Sequence, residues 1–261
     1  MTNPSKGFKR HRVNVLGVNV DDLPTKNALE VLFSLAKDTK KSHYAVTVNS
    51  EFVMLARRNK DFAKVLNKAD LSFADGAFLA ISKLIFGGKY QNRITGVDLI
   101  EKVCEKSVER NVRIGFLGGF GDVAERVAKR QISLNPGLKV VLAEPGDPAI
   151  GYDLRLKNKI SRLGRIDVLF VAYGMGKQEF WISRNLGMKN VGIFVGVGGA
   201  FDYLSGEKIR APKVFQQVGM EWLWRLVLEP ARIWRMRVLP AFFVIVVFFG
   251  IFGFFTKTPK N

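Results

Sequence analysis

The chain is poor in the residues that most often build reactive centres. One cysteine, Cys104, and two histidines, His11 and His43, stand among 261 residues. A single thiol excludes an intrachain disulfide and a cysteine-rich zinc site, and two histidines argue against a histidine metal centre or a Ser-His triad. Acidic residues are also scarce: 23 Asp and Glu face 41 Lys and Arg, a net charge of +18. That excess points to an anionic partner, be it nucleic acid, an anionic membrane surface or a phosphorylated substrate. Nucleic acid is the weakest of these, because the basic residues are spread along the chain without a recognised motif or a stripe paired with stacking aromatics. MTNPSKGFKRHR is basic but leads into no apolar h-region, so no secretory signal is expected. Internal repeats and low-complexity linkers are absent as well.

What the chain does have is a core: 48% of its residues are hydrophobic, enough for one large domain with an appendage. From Val13 to about Ser205, apolar runs alternate with amphipathic stretches. VNVLGVNV opens as a strand, PTKNALEVLFSLAKDT follows as a helix with Pro24 in its first turn, and SEFVMLARRN reads as a helix with Ser50 as its cap. HYAVTVN, LSFA, VRIGFLGG, LKVVLAE, DVLFVAYG and NVGIFVGVGG are short, near-continuous apolar segments, the signature of strands buried on both faces. The expected class is α/β, an open, mostly parallel, Rossmann-like sheet over residues 1–205.

Past Gly206 the character changes. Residues 206–237 are rich in arginine and tryptophan and read as an amphipathic helical appendage suited to a membrane interface. Residues 238–255, VLPAFFVIVVFFGIFGFF, carry no charge. As a helix they would reach roughly 27 Å at about 1.5 Å per residue, just short of a hydrocarbon core. This segment is expected to associate with a membrane, by shallow or re-entrant insertion more than by a full crossing. Arg232, Arg235 and Arg237 precede it and only Lys257 and Lys260 follow, which leaves the body on the cytoplasmic face.

In an open parallel sheet, ligands sit beyond the carboxyl ends of the strands. Five such ends carry polar or glycine-rich turns: Thr47 and Asn49; Asp75-Gly76; Gly118, Gly119 and Gly121; Lys177, Gln178 and Glu179; Gly198, Gly199 and Asp202. Parallel strands would bring these groups to one crevice. Each has a plainer reading: Asp75, Asn49 and Asp202 as helix caps, Lys177–Glu179 as a solvated first turn, Arg210 as a surface arginine. A competing function is also written here. GFGDVA at 119–124 fits G-x-G-x-x-A, and Glu144 falls where a dinucleotide-binding fold places its ribose acid, which would suit an NAD-dependent oxidoreductase. The mid-chain position and the basic, membrane-seeking C-terminus speak against it.

VTVNSE, ADLSFADG, RITGVDL, GFLGG, GKQEFWI, VGVGGAFDYLSGEKIRAP and GMEWLWRLVLEPARIWR together resemble the WecG/TagA/CpsF family of glycosyltransferases, in family order over residues 13 to 237. The resemblance implies an inverting transfer of N-acetylmannosamine or a relative from a UDP-sugar to a polyprenyl-diphosphate-linked sugar at the cytoplasmic membrane face, in surface-polymer assembly. It implies no metal and no other cofactor, and homo-oligomerisation is implied by it alone. By the same resemblance Asp75 is the general base, with Thr47 and Asn49 beside it. Gln178, Asp202 and the Gly198-Gly199 turn would hold the donor, and Arg210, Arg225 and Arg232 would close over the crevice onto phosphates. The chemistry is consistent: an inverting transfer needs one carboxylate opposite the leaving group, and arginine forks can stabilise a leaving diphosphate where no D-x-D motif occurs. Asp75 is thus expected both to cap its helix and to face the crevice. Two departures stand out. Met175-Gly176 replaces the proline that usually precedes Lys-Gln-Glu, and residues 238–255 look additional to a family pattern ending near Arg237.

Overall fold

A computed structural model describes the backbone of residues 11–90 and 92–255, and the side chains of these except Arg232, Arg235 and 251–255. Its strands are β1 (Arg12–Val15), β2 (Val18–Asp21), β3 (His43–Val48), β4 (Leu71–Ala74), β5 (Arg113–Gly118), β6 (Lys139–Glu144), β7 (Ile166–Ala172) and β8 (Val191–Gly196). Six of them form one sheet in the order β4-β3-β8-β7-β5-β6, every pairing parallel. All residues of β3 and β8 are buried, which is why both read as near-continuous apolar runs.

Parallel neighbours need crossovers, and helices supply them. They are α1 (Thr25–Ala36), α2 (Ser50–Arg58), α3 (Lys60–Asn67), α4 (Ala77–Ile85), α5 (Gly96–Arg110), α6 (Val123–Leu134), α7 (Asp153–Arg162), α8 (Lys177–Asn185) and α9 (Ala200–Leu204). One face of the sheet is covered by α1, α5, α6 and α9, through side chains such as Phe33, Ile100, Val127 and Phe201. The other is covered by α2, α3, α7 and α8, through Phe52, Phe62, Ile160 and Trp181. The chain leaves β3 towards the second face and leaves the adjacent β8 towards the first. That divergence opens a crevice at their carboxyl ends, as expected of a switch point in such a sheet.

The first apolar run departs from expectation. VNVLGVNV is not one strand of the sheet; it turns at Leu16 and Gly17, both with positive φ (52° and 96°), into the antiparallel β1–β2 hairpin. The Asn14 side chain accepts from Gly17 N–H at 2.9 Å, supporting this turn. The hairpin closes the β4 edge: Asp21 accepts from Ser72 N–H at 2.7 Å, and Arg12 donates to the carbonyls of Ala69 and Asp70.

The appendage comprises α10 (Lys213–Gln217), α11 (Glu221–Leu228), a 3-10 turn over Pro230–Arg232, α12 (Ile233–Met236) and α13 (Val238–Phe255). This appendage is packed on the domain, with Glu221 paired to Arg93 and Trp222 against Phe78. The apolar tail is partly covered too, since Phe242 and Val246 of α13 are buried in the α2–α3 side of the core and Gly250 lies directly against Ile85 of α4. Among the described residues no helix is long and apolar enough to cross a membrane. Lys257 and Lys260, invoked for orientation, lie outside the described residues.

Candidate functional site

Two adjoining cavities open at the carboxyl ends of the strands. The larger, about 250 Å³, lies over β3 and β8 and is lined by Thr47, Asn49, Asp75, Gly174, Gly198, Gly199, Asp202, Lys208 and Arg225 among others. The smaller, about 100 Å³, lies between the start of α4 and the appendage and is lined by Phe78, Arg93, Glu221, Trp222, Met236 and Leu239 among others. Asn49, Asp75 and Arg225 belong to both.

Asp75 directly follows β4, and its N–H donates to Val48 O at 2.6 Å, extending the β3–β4 ladder by one residue. The chain then turns through Gly76 at φ 94°, a left-handed conformation that favours glycine, before α4 begins. Gly76 holds the N-cap position and no side chain caps the helix, so the expected capping role of Asp75 is not observed. The carboxylate is left facing the cavities. Burial pushes its pKa up; Arg225 opposes this, Glu221 adds to it, Arg93 opposes and Asp98 adds, with a net rise to about 6. A carboxylate with that value is mostly ionised at neutral pH yet basic enough to accept a proton.

The neighbouring groups are fixed by local structure. Asn49, not Ser50, caps α2: its Oδ1 accepts from the N–H groups of Glu51 and Phe52 at 2.9 and 3.2 Å. Its amide Nδ2 makes none of the hydrogen bonds among the described residues. The Thr47 hydroxyl donates to Gly196 O at 3.0 Å and ties β3 to β8 at the cavity floor. Asp202 lies in the first turn of α9, where its carboxylate stands 3.6 Å from Lys208 Nζ. The guanidinium of Arg225 stacks 4.6 Å from the Tyr203 ring.

Gln178 is fully buried behind the cavity wall. Its Oε1 accepts from Gly198 N–H at 3.0 Å, while its Nε2 donates to Glu179 Oε1 at 2.6 Å. Glu179 Oε2 accepts from Gly176 N–H at 2.6 Å. The two side chains thus lace together the glycine turns after β7 and β8, both of which line the larger cavity. Burial raises the Glu179 pKa to about 7, against hydrogen bonds from Gln178 and the backbone that lower it.

Arg210 is not directed at either cavity. It donates to Asp98 Oδ1 at 2.6 Å and lies 3.5 Å from Glu221 and 3.9 Å from Glu101. Glu221 in turn stands 3.4 Å from Arg93, which also donates to Gln216 O at 2.8 Å. These contacts fasten the appendage to α5 and to the segment after α4. The Arg232 side chain lies outside the described residues. The turn after β5, Gly118–Gly121, lines neither cavity, and Glu144 is ion-paired with Lys159. The turn of the dinucleotide reading thus stands outside both cavities. Arg93, Glu221, Trp222 and Lys208 were not singled out from sequence, although all four lie within or beside motifs that carried the resemblance.

Comparison with known proteins gives a consistent result. The model of the glycosyl transferase WecG/TagA/CpsF family matches residues 13–252. The match runs well into α13, so the family pattern does not end near Arg237 as expected. A Bacillus spizizenii N-acetylglucosaminyldiphosphoundecaprenol N-acetyl-beta-D-mannosaminyltransferase is 31% identical over 210 residues, covering 80% of either chain. A Staphylococcus aureus protein of the same name is 26% identical over 235 residues, covering 88% of this chain and 90% of its own.

Proposed function

The chain belongs to the glycosyl transferase WecG/TagA/CpsF family, and from that premise we propose that it transfers N-acetylmannosamine or a related sugar from UDP to a polyprenyl-diphosphate-linked N-acetylglucosamine. The observation that carries the mechanism is Asp75, a carboxylate at the junction of two cavities with no side-chain hydrogen bond among the described residues and with Arg225 and Arg93 in the same lining.

In this reading the donor occupies the larger cavity. Gly198 and Gly199 bring backbone close to it, with Gln178 and Glu179 setting the turns, and Asp202 and Asn49 offer polar contacts to sugar or nucleoside. The acceptor hydroxyl lies against Asp75. Asp75 takes the hydroxyl proton as the acceptor oxygen bonds to the anomeric carbon, and the bond from that carbon to the diphosphate breaks on the opposite face. The electron pair leaves with UDP, and the configuration inverts. Negative charge grows on the leaving diphosphate, where Arg225 and Lys208 can meet it without a metal. A positioned base of this kind contributes ~10²–10⁴-fold.

Attachment to a membrane surface follows from the substrate: a prenyl-linked acceptor lies in the bilayer with its diphosphate at the surface. The exposed apolar residues of α11, α12 and α13 and the arginines between them suit an interfacial position. The test is the pH dependence of kcat/KM. Because the ionised form is the base, activity should rise with pH through an inflection near 6 and level off above it. A profile flat from pH 5 to 8 would remove Asp75 from the role.

A further inference from the structure

We propose that the smaller cavity is the binding site for the first isoprene units of the acceptor, so that the prenyl chain enters between α4 and the appendage. The inference rests on the transferase reading and goes beyond it by assigning a wall of the site to lipid.

Three kinds of chemistry meet in this cavity. Asp75 supplies the base, Arg225 and the partly neutralised Arg93, 3.4 Å from Glu221, supply cationic forks, and Phe78, Trp222, Met236 and Leu239 supply an apolar wall, with Glu51 and Glu221 the other carboxylates in the lining. A sugar–diphosphate–prenyl ligand presents the matching three in one molecule: a hydroxyl, two phosphates and a hydrocarbon. The larger cavity is the more polar of the two: glycine turns and polar side chains such as Thr47, Asn49, Asp202 and Lys208 make up most of its lining, beside Phe52, Val97, Met175 and Val197.

The elements that form the wall also carry exposed apolar residues. Phe78 and Trp222 pack with ring centroids 5.9 Å apart, joining α4 to α11. The elements that carry the wall all expose large apolar side chains: Ile81, Leu84 and Ile85 on α4, Val227 and Leu228 on α11, Ile233 and Trp234 on α12, Phe243 and Phe248 on α13. Globular proteins seldom expose so many large apolar side chains on neighbouring elements without a partner. A prenyl chain running from bilayer to base would cross this surface and then the cavity, leaving apolar contact only where the diphosphate meets the arginines. Leu239 is informative because it belongs to α13: the apolar tail helps build the substrate site as well as any membrane contact.

The experiment uses two acceptors that dissolve without a bilayer: N-acetylglucosamine diphosphate capped with a ten-carbon prenyl group, and the same diphosphate capped with methyl. The full chain is assayed in detergent-free buffer with the UDP-sugar donor. Wild type should prefer the prenyl acceptor by at least ~10-fold in kcat/KM, a modest share of what burying one isoprene unit can supply. Leu239→Gln and Trp222→Ala should bring the ratio to within about threefold of unity, with UDP binding measured separately to show that each variant is folded. Phe243→Gln, on the outer face of α13, should keep the preference. Equal use of both acceptors by wild type, or a preference that survives both cavity variants, overturns the assignment. A preference lost only in Phe243→Gln overturns it in favour of the outer face. Transfer to neither acceptor by wild type removes the transferase reading, and the inference falls with it.

Discussion

Replacing Asp75 by asparagine should make the protein more stable while lowering its activity ~10²–10⁴-fold. The reasoning starts from the pKa of about 6 against an ordinary 3.8. A folded-state value above the unfolded one means that the folded chain binds more protons between those two pH values. Stability therefore falls as pH rises through that window, and the cost is fully present above about 6. Roughly two pKa units correspond to ~3 kcal/mol. Asp75 is only half-buried, so solvent contact reduces this to ~1–2 kcal/mol. Asparagine keeps the shape and removes the charge. At pH 8 the variant should melt ~2–8 °C higher, taking 2–4 °C per kcal/mol for a domain of this size. Near pH 4 the wild-type carboxyl is largely protonated and the gain should shrink towards zero. Thermal unfolding of both proteins at the two pH values is the assay. A variant that is less stable at pH 8, or equally stabilised at both, would refute the argument that Asp75 is held at energetic cost for chemistry.

Other expectations follow from the same geometry. Gln178→Ala removes the acceptor for Gly198 N–H and one partner of Glu179; it should cost ~1–3 kcal/mol in stability and weaken UDP binding measured calorimetrically. Arg210→Ala leaves Asp98 without its strongest partner and loosens the appendage, so urea unfolding should show a loss of ~1–3 kcal/mol, with KM for acceptor raised more than KM for donor. Charging the outer face of α13 with Phe243→Glu and Phe248→Glu should reduce co-sedimentation with anionic vesicles at least tenfold, with little change in the melting temperature, since both side chains are more than half exposed.

The sheet was legible because strands buried on both faces must be apolar at nearly every position, and β3, β7 and β8 are. The gathering of Thr47, Asn49, Asp75, Gly198 and Asp202 at one end followed from strand direction alone. The β1–β2 hairpin was hidden because its turn uses Leu16 at φ 52°, where sequence rules look for Asn or Asp before glycine. Arg210 and Gln178 were read as substrate contacts from motif position. Their partners, Asp98 and Gly198, are 112 and 20 residues away in sequence, and only tertiary packing brings them together. The docking of α13 had no sequence signal at all: a helix apolar on every side has no face that marks which part is covered. Asp75 shows the reverse case. An aspartate ahead of a helical run suggested a cap, but Gly76 takes the cap position itself and leaves the carboxylate to the cavity.

The central claim is a base-assisted sugar transfer at Asp75, and acceptor-dependent UDP release tests it most directly. Wild type and Asp75→Asn are compared with UDP-N-acetylmannosamine and prenyl-diphosphate-linked N-acetylglucosamine, in EDTA. The account predicts release that requires the acceptor, persists in EDTA and falls ~10²–10⁴-fold in the variant. Release independent of acceptor, or a variant as active as wild type, would contradict it.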